Sequence, residues 1–132
     1  MKEPRWVLQE TVLALHEQLL AEFGGAQGLR DEGLFDSALV RPRQQFAYDK
    51  RNLAVLAAYA FGLVRNHPFI DGNKRIGFSV AVLFLELNGH AFTATEVDAV
   101  IQPLALAAGA LDEAGYAAWL ETNSRRARHP RG

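Results

Sequence analysis

Apolar residues recur along this chain at three- and four-residue steps, and those steps mark out helices. Leu8, Val12, Leu15, Leu19 and Phe23 form one stripe, which Gly24-Gly25 terminates. A second, shorter helix is expected from about Asp31, whose side chain can cap it, to just before Pro42. Arg41 to Arg51, with Phe46 and Tyr48 set in an otherwise polar segment, reads as an exposed loop or short ribbon. Leu53, Leu56, Ala57, Ala60 and Val64 then define a third helix. It should end at about Asn66, because Pro68 biases His67 away from helical geometry.

A central helix is expected from Asn73 to Asn88, with Asn88-Gly89 as a left-handed stop. From Ile76 to Leu85 it carries only apolar or small residues, so it has no solvent-facing side and should be buried. Thr95 and Asp98 have the spacing of a helix start ahead of Val97, Val100, Ile101, Leu104 and Ala108. Pro103 interrupts that run and predicts a kink or a break. A last helix, from about Asp112 to Ser124, places Tyr116 and Leu120 on one face. The sum is an all-α bundle of about six helices, with no pair of alternating apolar runs to build a substantial sheet.

Composition narrows this further. With 132 residues, 49% of them hydrophobic, the chain can enclose one core, so residues 1–124 read as a single domain. Residues 125–132, with Arg125, Arg126, Arg128 and Arg131, read as a frayed basic tail. Fourteen basic residues against fifteen acidic ones give a formal charge of −1, with no global pull toward nucleic acid or an anionic membrane. There is no cysteine, which excludes disulfides and thiolate metal sites. The first residues lack the apolar run of a signal peptide, and the 76–85 run is half the length a bilayer requires. A soluble cytoplasmic protein is expected.

The densest chemistry lies in His67-Pro68-Phe69-Ile70-Asp71-Gly72-Asn73-Lys74-Arg75, where a loop meets the start of the central helix. The ordinary pKa of histidine, about 6.5, suits His67 to take a proton from an attacking hydroxyl at neutral pH. Asp71 is a hard oxygen ligand for Mg²⁺; read without its neighbours it serves equally as an Asx-turn or N-cap. Gly72 allows close backbone approach by a phosphate. Lys74 and Arg75 place two cations at the positive end of a helix, an unfavourable arrangement that an anion would resolve. Phe69 and Ile70 are expected to anchor the loop in the core. Metal-only hydrolysis is not expected, since His16, His67, His90 and His129 show no short ligand spacing.

This stretch resembles the signature of the Fic/Doc superfamily, H-x-F-x-D/E-G-N-G-R-x-x-R, at His67, Phe69, Asp71, Gly72, Asn73 and Arg75. Lys74 stands where the adenylyl-transferring Fic members have glycine, and Phe78 where they have the final arginine; both departures resemble the Doc branch, the death-on-curing toxins. Gly24-Gly25, Gly28-Leu29-Arg30-Asp31, Gly33-Leu34, Ser37-Ala38-Leu39, Arg41-Pro42 and Phe84-Leu85-Glu86-Leu87-Asn88-Gly89 are similar to that branch as well.

The resemblance implies a compact helical bundle with the signature loop at the N-terminus of the buried central helix. It also implies transfer of the γ-phosphoryl group of ATP to a threonine of elongation factor Tu, arresting translation. His67 would be the general base, Asp71 the Mg²⁺ ligand, Gly72 and Asn73 backbone and amide donors, and Lys74 and Arg75 phosphate stabilisers. Arg41 to Arg51 occupies the place of the Fic target-binding flap, with Phe46 and Tyr48 as candidate clamps. The inhibitory pattern S/T-x-x-x-E-G/N of many Fic proteins is absent: Glu32 precedes Gly33, but the residue four before it is Gly28. A separate, Phd-like antitoxin is therefore implied. The rival readings are AMP transfer to another target and a non-catalytic binding module. Direct nucleic-acid contact through the arginine tail is not expected, because no aromatic residue interleaves it.

Overall fold

The computed structural model describes residues 3–48 and 61–126. Its order is α1 (Gln9–Phe23), α2 (Glu32–Tyr48), a helical segment at residues 61–66 (α3), α4 (Asn73–Leu87), β1 (His90–Phe92), α5 (Glu96–Ala108), α6 (Glu113–Thr122) and β2 (Ser124–Arg126). The all-α expectation holds, with one small addition. β1 and β2 pair antiparallel, His90 opposite Arg126 and Phe92 opposite Ser124. Arg125 and Arg126 are thus strand residues and not part of a frayed tail. The helix expected from Leu53 lies mostly outside the described residues.

α4 is the centre of the molecule, packed by α1, α5 and β1. None of Ile76 to Leu85 is exposed, as its lack of a polar face predicts. Ile76, Val80, Ala81 and Phe84 join Val12, Phe35, Leu63, Phe69, Tyr116 and Leu120 in one core. α4 stops where expected, with Asn88 as C-cap and Gly89 at φ 83°. Side chains cap three other helices, and two of these caps, Asp31 and Thr95, stand where the sequence places a cap. Asp31 accepts from Leu34 N–H (3.0 Å), Thr95 from Asp98 N–H (3.1 Å) and Asp112 from Gly115 N–H (2.7 Å).

Four expectations are corrected. α2 does not end before Pro42; it runs on to Tyr48, so Arg41 to Tyr48 is helix and not loop or ribbon. Phe35, Ala38, Pro42 and Phe46 fall on one buried face of it. Burial of that stripe outweighs the single hydrogen bond that proline forfeits at Ala38 O, and α3 packs there through Gly62, whose missing side chain permits close approach to the Ala38 backbone. α5 likewise continues through Pro103, which is buried with Leu106. Its apolar residues Val97, Val100, Ile101 and Leu104 face solvent, so the core-facing side is not the one the apolar spacing marked. In α1 the buried row is Val12, His16 and Leu20, while Leu8 and Phe23 are exposed.

Candidate active site

Two short segments, brought together by backbone hydrogen bonds, make the site. The chain leaves α1 through Gly24 and Gly25 and runs antiparallel to the signature loop, with Leu29 bridged to Phe69. Pro68 O accepts from both Arg30 N–H (2.6 Å) and Asp31 N–H (3.1 Å), and Gly28 O accepts from Ile70 N–H (3.1 Å). The residues between Gly24 and Asp31 thus form one wall of the site.

Phe69 is the loop's anchor. Its ring is buried, stacked on the His16 imidazole at 3.7 Å between centroids and edge-on to Phe35 at 5.3 Å. Ile70, expected beside it in the core, is instead 55% exposed, on the side of Gly28. The loop's shape is set by Asn73, which is also buried. Its amide accepts from Phe69 N–H at 2.9 Å and donates to Phe69 O at 3.0 Å, a two-point clasp on one residue. That clasp fixes which end of the amide is oxygen and presents the amide nitrogen to His67 Nδ1, 3.4 Å away. The sequence marks Asn73 as an amide donor to phosphate. The structure commits its side chain to the loop, so an anion would meet the N–H groups of the backbone here.

His67 is exposed and sits at φ 50°, in the left-handed region, directly after the last residue of α3. It lines an open cleft with Phe61, Val64, Arg65 and the end of α5 from Leu106 to Gly109. The carboxylate of Asp71 accepts from Gly72 N–H (2.9 Å) and, through its other oxygen, from Ala26 N–H (3.3 Å). Asp71 does not cap α4. That position belongs to Gly72, at φ 78°, and among the described residues no side chain caps the helix by a hydrogen bond.

Lys74 is exposed, and among the described residues it has no hydrogen bond or ion pair. The guanidinium of Arg75 lies 4.4 Å from the Phe23 ring centroid. An uncapped helix start with two cations in its first turn could receive an anion, and the Asp71 carboxylate could hold Mg²⁺, which takes most of its remaining ligands from phosphate and water. Among the described residues no group of three His, Cys, Asp or Glu side chains could bind a metal unaided. No helix there is long and apolar enough to cross a membrane.

The two target-binding candidates separate. Phe46 is buried, with Trp6 edge-on at 6.0 Å, whereas Tyr48 is 91% exposed. Three contributors escaped sequence reading. His16 donates from Nε2 to the backbone carbonyl of Asp71 at 2.8 Å while its ring supports Phe69. Its position midway between Val12 and Leu20, at steps of four, was the available signal. Arg30 hydrogen bonds the carbonyls of Asn66 and His67, and Phe23 carries the Arg75 guanidinium.

Comparison with known proteins agrees with this geometry. The Fic/DOC family profile matches residues 6–85, which hold both walls of the site and most of α4. The chain is 33% identical over 87 residues to the "Protein kinase doc" of Escherichia phage P1, spanning 64% of this chain and 69% of that protein. It is 42% identical over 71 residues to the "Toxin Doc" of Mycolicibacterium smegmatis, spanning 51% of this chain and about half (54%) of that relative. With the signature loop folded against its glycine-containing partner strand at the head of a buried helix, the chain belongs to the Fic/Doc family, on its Doc branch.

Proposed function

We propose that this protein is a toxin of a toxin-antitoxin pair that transfers the γ-phosphoryl group of ATP to a protein hydroxyl, with a threonine of elongation factor Tu as acceptor. The observation that carries the choice of phosphoryl over adenylyl transfer is the setting of Phe78. This residue stands where the adenylyl-transferring members carry their last arginine, and its ring packs against Phe92 at 5.6 Å and Trp119 at 6.3 Å. An apolar plug inside an aromatic cluster offers a phosphate nothing. The cations that remain, Lys74 and Arg75, belong to the first turn of α4, and in this reading both serve one terminal phosphate together with the helix N–H groups.

In this reading the acceptor oxygen bonds to the γ-phosphorus as the bond from that phosphorus to the β,γ-bridging oxygen breaks. ADP leaves with the electron pair, and the hydroxyl proton passes to His67. Asp71 would hold Mg²⁺, which neutralises phosphate charge when bound. Lys74 and Arg75 offset the charge on the transferred group, and Asn73 keeps the loop in shape. Most of the catalysis is positioning and electrostatics, as phosphoryl transfer requires. Of the two aromatic candidates on α2, Tyr48 is the exposed one, and in this reading it meets the acceptor protein. The "Protein kinase doc" and "Toxin Doc" names of the relatives support the class of reaction and the toxin role. The toxin naming among the relatives supports a separate antitoxin partner, and a cytoplasmic site of action goes with the choice of acceptor.

The test is intact mass spectrometry of elongation factor Tu after incubation with this protein, ATP and Mg²⁺, with His67→Ala as control. A His67-dependent phosphoryl increment is expected. An adenylyl increment would refute the phosphoryl reading and give Phe78 no bearing on the choice of group.

A further inference from the structure

The backbone of His67 is in a conformation that its own sequence disfavours. It is the first residue beyond α3, the position at which helices commonly end on a left-handed glycine, and it takes that conformation with a full side chain at φ 50°. For a non-glycine residue the left-handed region is disfavoured, because the side chain crowds the backbone there. The last carbonyls of a helix also lack intrahelical partners, so the C-terminus of α3 needs donors from elsewhere.

One side chain supplies them. Arg30 Nε donates to His67 O at 2.8 Å and its terminal Nη2 donates to Asn66 O at 2.9 Å, so a single rigid guanidinium spans two successive carbonyls. The backbone next to it continues the contact, with Arg30 and Asp31 N–H groups both on Pro68 O. Asn66, in turn, donates its side-chain amide to Leu34 O at 3.0 Å. The carbonyls of residues 66, 67 and 68 are therefore all held from the segment that begins α2. The conformation at His67 is imposed from outside the loop, and the guanidinium is the part of the clamp that grips His67 itself.

We infer that Arg30 is a positioning residue for His67: by bridging the carbonyls of Asn66 and His67 it holds the left-handed turn that presents the imidazole to the cleft. The inference rests on the role of His67 as general base. The N–H groups of Arg30 that face the loop are spent on the backbone carbonyls of His67 and Asn66, so its effect is expected on the rate of transfer and not on ATP binding. Lysine does not substitute, because a single ammonium lacks the planar fork that reaches two carbonyls at once.

The experiment compares wild type, Arg30→Ala and Arg30→Lys in two readouts. The first is transfer from ATP to elongation factor Tu, separated into kcat and KM for ATP. The second is NMR of the His67 ring carbon-bound protons in the protein alone, which needs no substrate. Arg30→Ala is expected to lower kcat about 10- to 100-fold, the scale of a misplacement of about 1 Å, with KM for ATP within two-fold. Its ring signals should shift or broaden, Arg30→Lys should behave alike, and added guanidinium chloride at low millimolar concentration should restore part of the rate. Unchanged kcat and ring signals would overturn the inference. So would a parallel loss of kcat, ATP binding and thermal stability that guanidinium does not repair, since that would make Arg30 a structural clamp only. If wild type fails to modify elongation factor Tu, the proposed function fails, and the ring signals alone decide the role of Arg30.

Discussion

Replacing Asn73 with alanine isolates the element that shapes the loop. The substitution removes an acceptor 2.9 Å from Phe69 N and a donor 3.0 Å from Phe69 O, at a residue that is buried on both sides of the exchange. Alanine is well tolerated at the start of a helix, and α4 does not use the Asn73 side chain as its cap. The cost is therefore that of two backbone groups left without partners. A buried unsatisfied group costs about 1–3 kcal/mol, so a loss of about 2–4 kcal/mol is expected if water reaches one of the pair in part.

Urea unfolding followed by tryptophan fluorescence reads this directly, as a lower midpoint with an unchanged slope. Asn73→Asp provides the contrast. It keeps the acceptor for Phe69 N–H but sets an anion against Phe69 O, so it should be no better than alanine although its shape is preserved. A loss below about 0.5 kcal/mol in Asn73→Ala, the scatter of an ordinary surface substitution, would refute the idea that this clasp organises the loop.

Three other outcomes follow from the same structure. Tyr116 is fully buried, and its hydroxyl has no hydrogen-bond partner among the described residues, so Tyr116→Phe should raise stability by about 1 kcal/mol in urea unfolding at neutral pH. Burial pushes the Tyr116 phenol well above the ordinary tyrosine value of about 10. The folded state then keeps a proton that the unfolded state loses, and this share of stability falls as pH rises past 10, by up to about 1.4 kcal/mol per unit; the gap between Tyr116→Phe and the parent should widen accordingly. Gly25→Ala should cost about 1–3 kcal/mol and raise the Mg²⁺ concentration needed for transfer, because φ is 129° and the new carbon would lie 3.0 Å from Asp71 Oδ2. Gly24→Ala is the control, with φ 84° and nothing within 4 Å, and thermal melts with Mg²⁺ titration of transfer should show strain there without the metal effect.

The parts of this molecule that the sequence announces are those governed by local chemistry. The bounds of α4, its Asn88-Gly89 stop and the Asp31 and Thr95 caps depend on residues within a turn of one another. The signature loop is legible for the same reason. Pro42 and Pro103 misled because their local cost was outweighed by burial that only tertiary packing supplies. β2 was invisible: Ser124-Arg125-Arg126 has no apolar alternation, and its pairing is with residues more than thirty positions earlier. Within the site, His67, Asp71 and Lys74 could be named from side-chain chemistry. Arg30 could not, since its partners are carbonyls far along the chain, which no pattern of side chains reveals. His16 is polar and so stands outside any apolar pattern, although the buried row of α1 passes through it.

The left-handed turn at His67 also bears on which residues this chain would retain if folding were the sole demand. At φ 50° after a helix the backbone favours glycine or asparagine, so exchange of His67 for either relaxes the turn while deleting the base. Inactivation at this position would then come at no expense in stability. A pool of variants sorted for solubility or thermal resistance alone should drift away from histidine, and its persistence at 67 would report a demand made by chemistry.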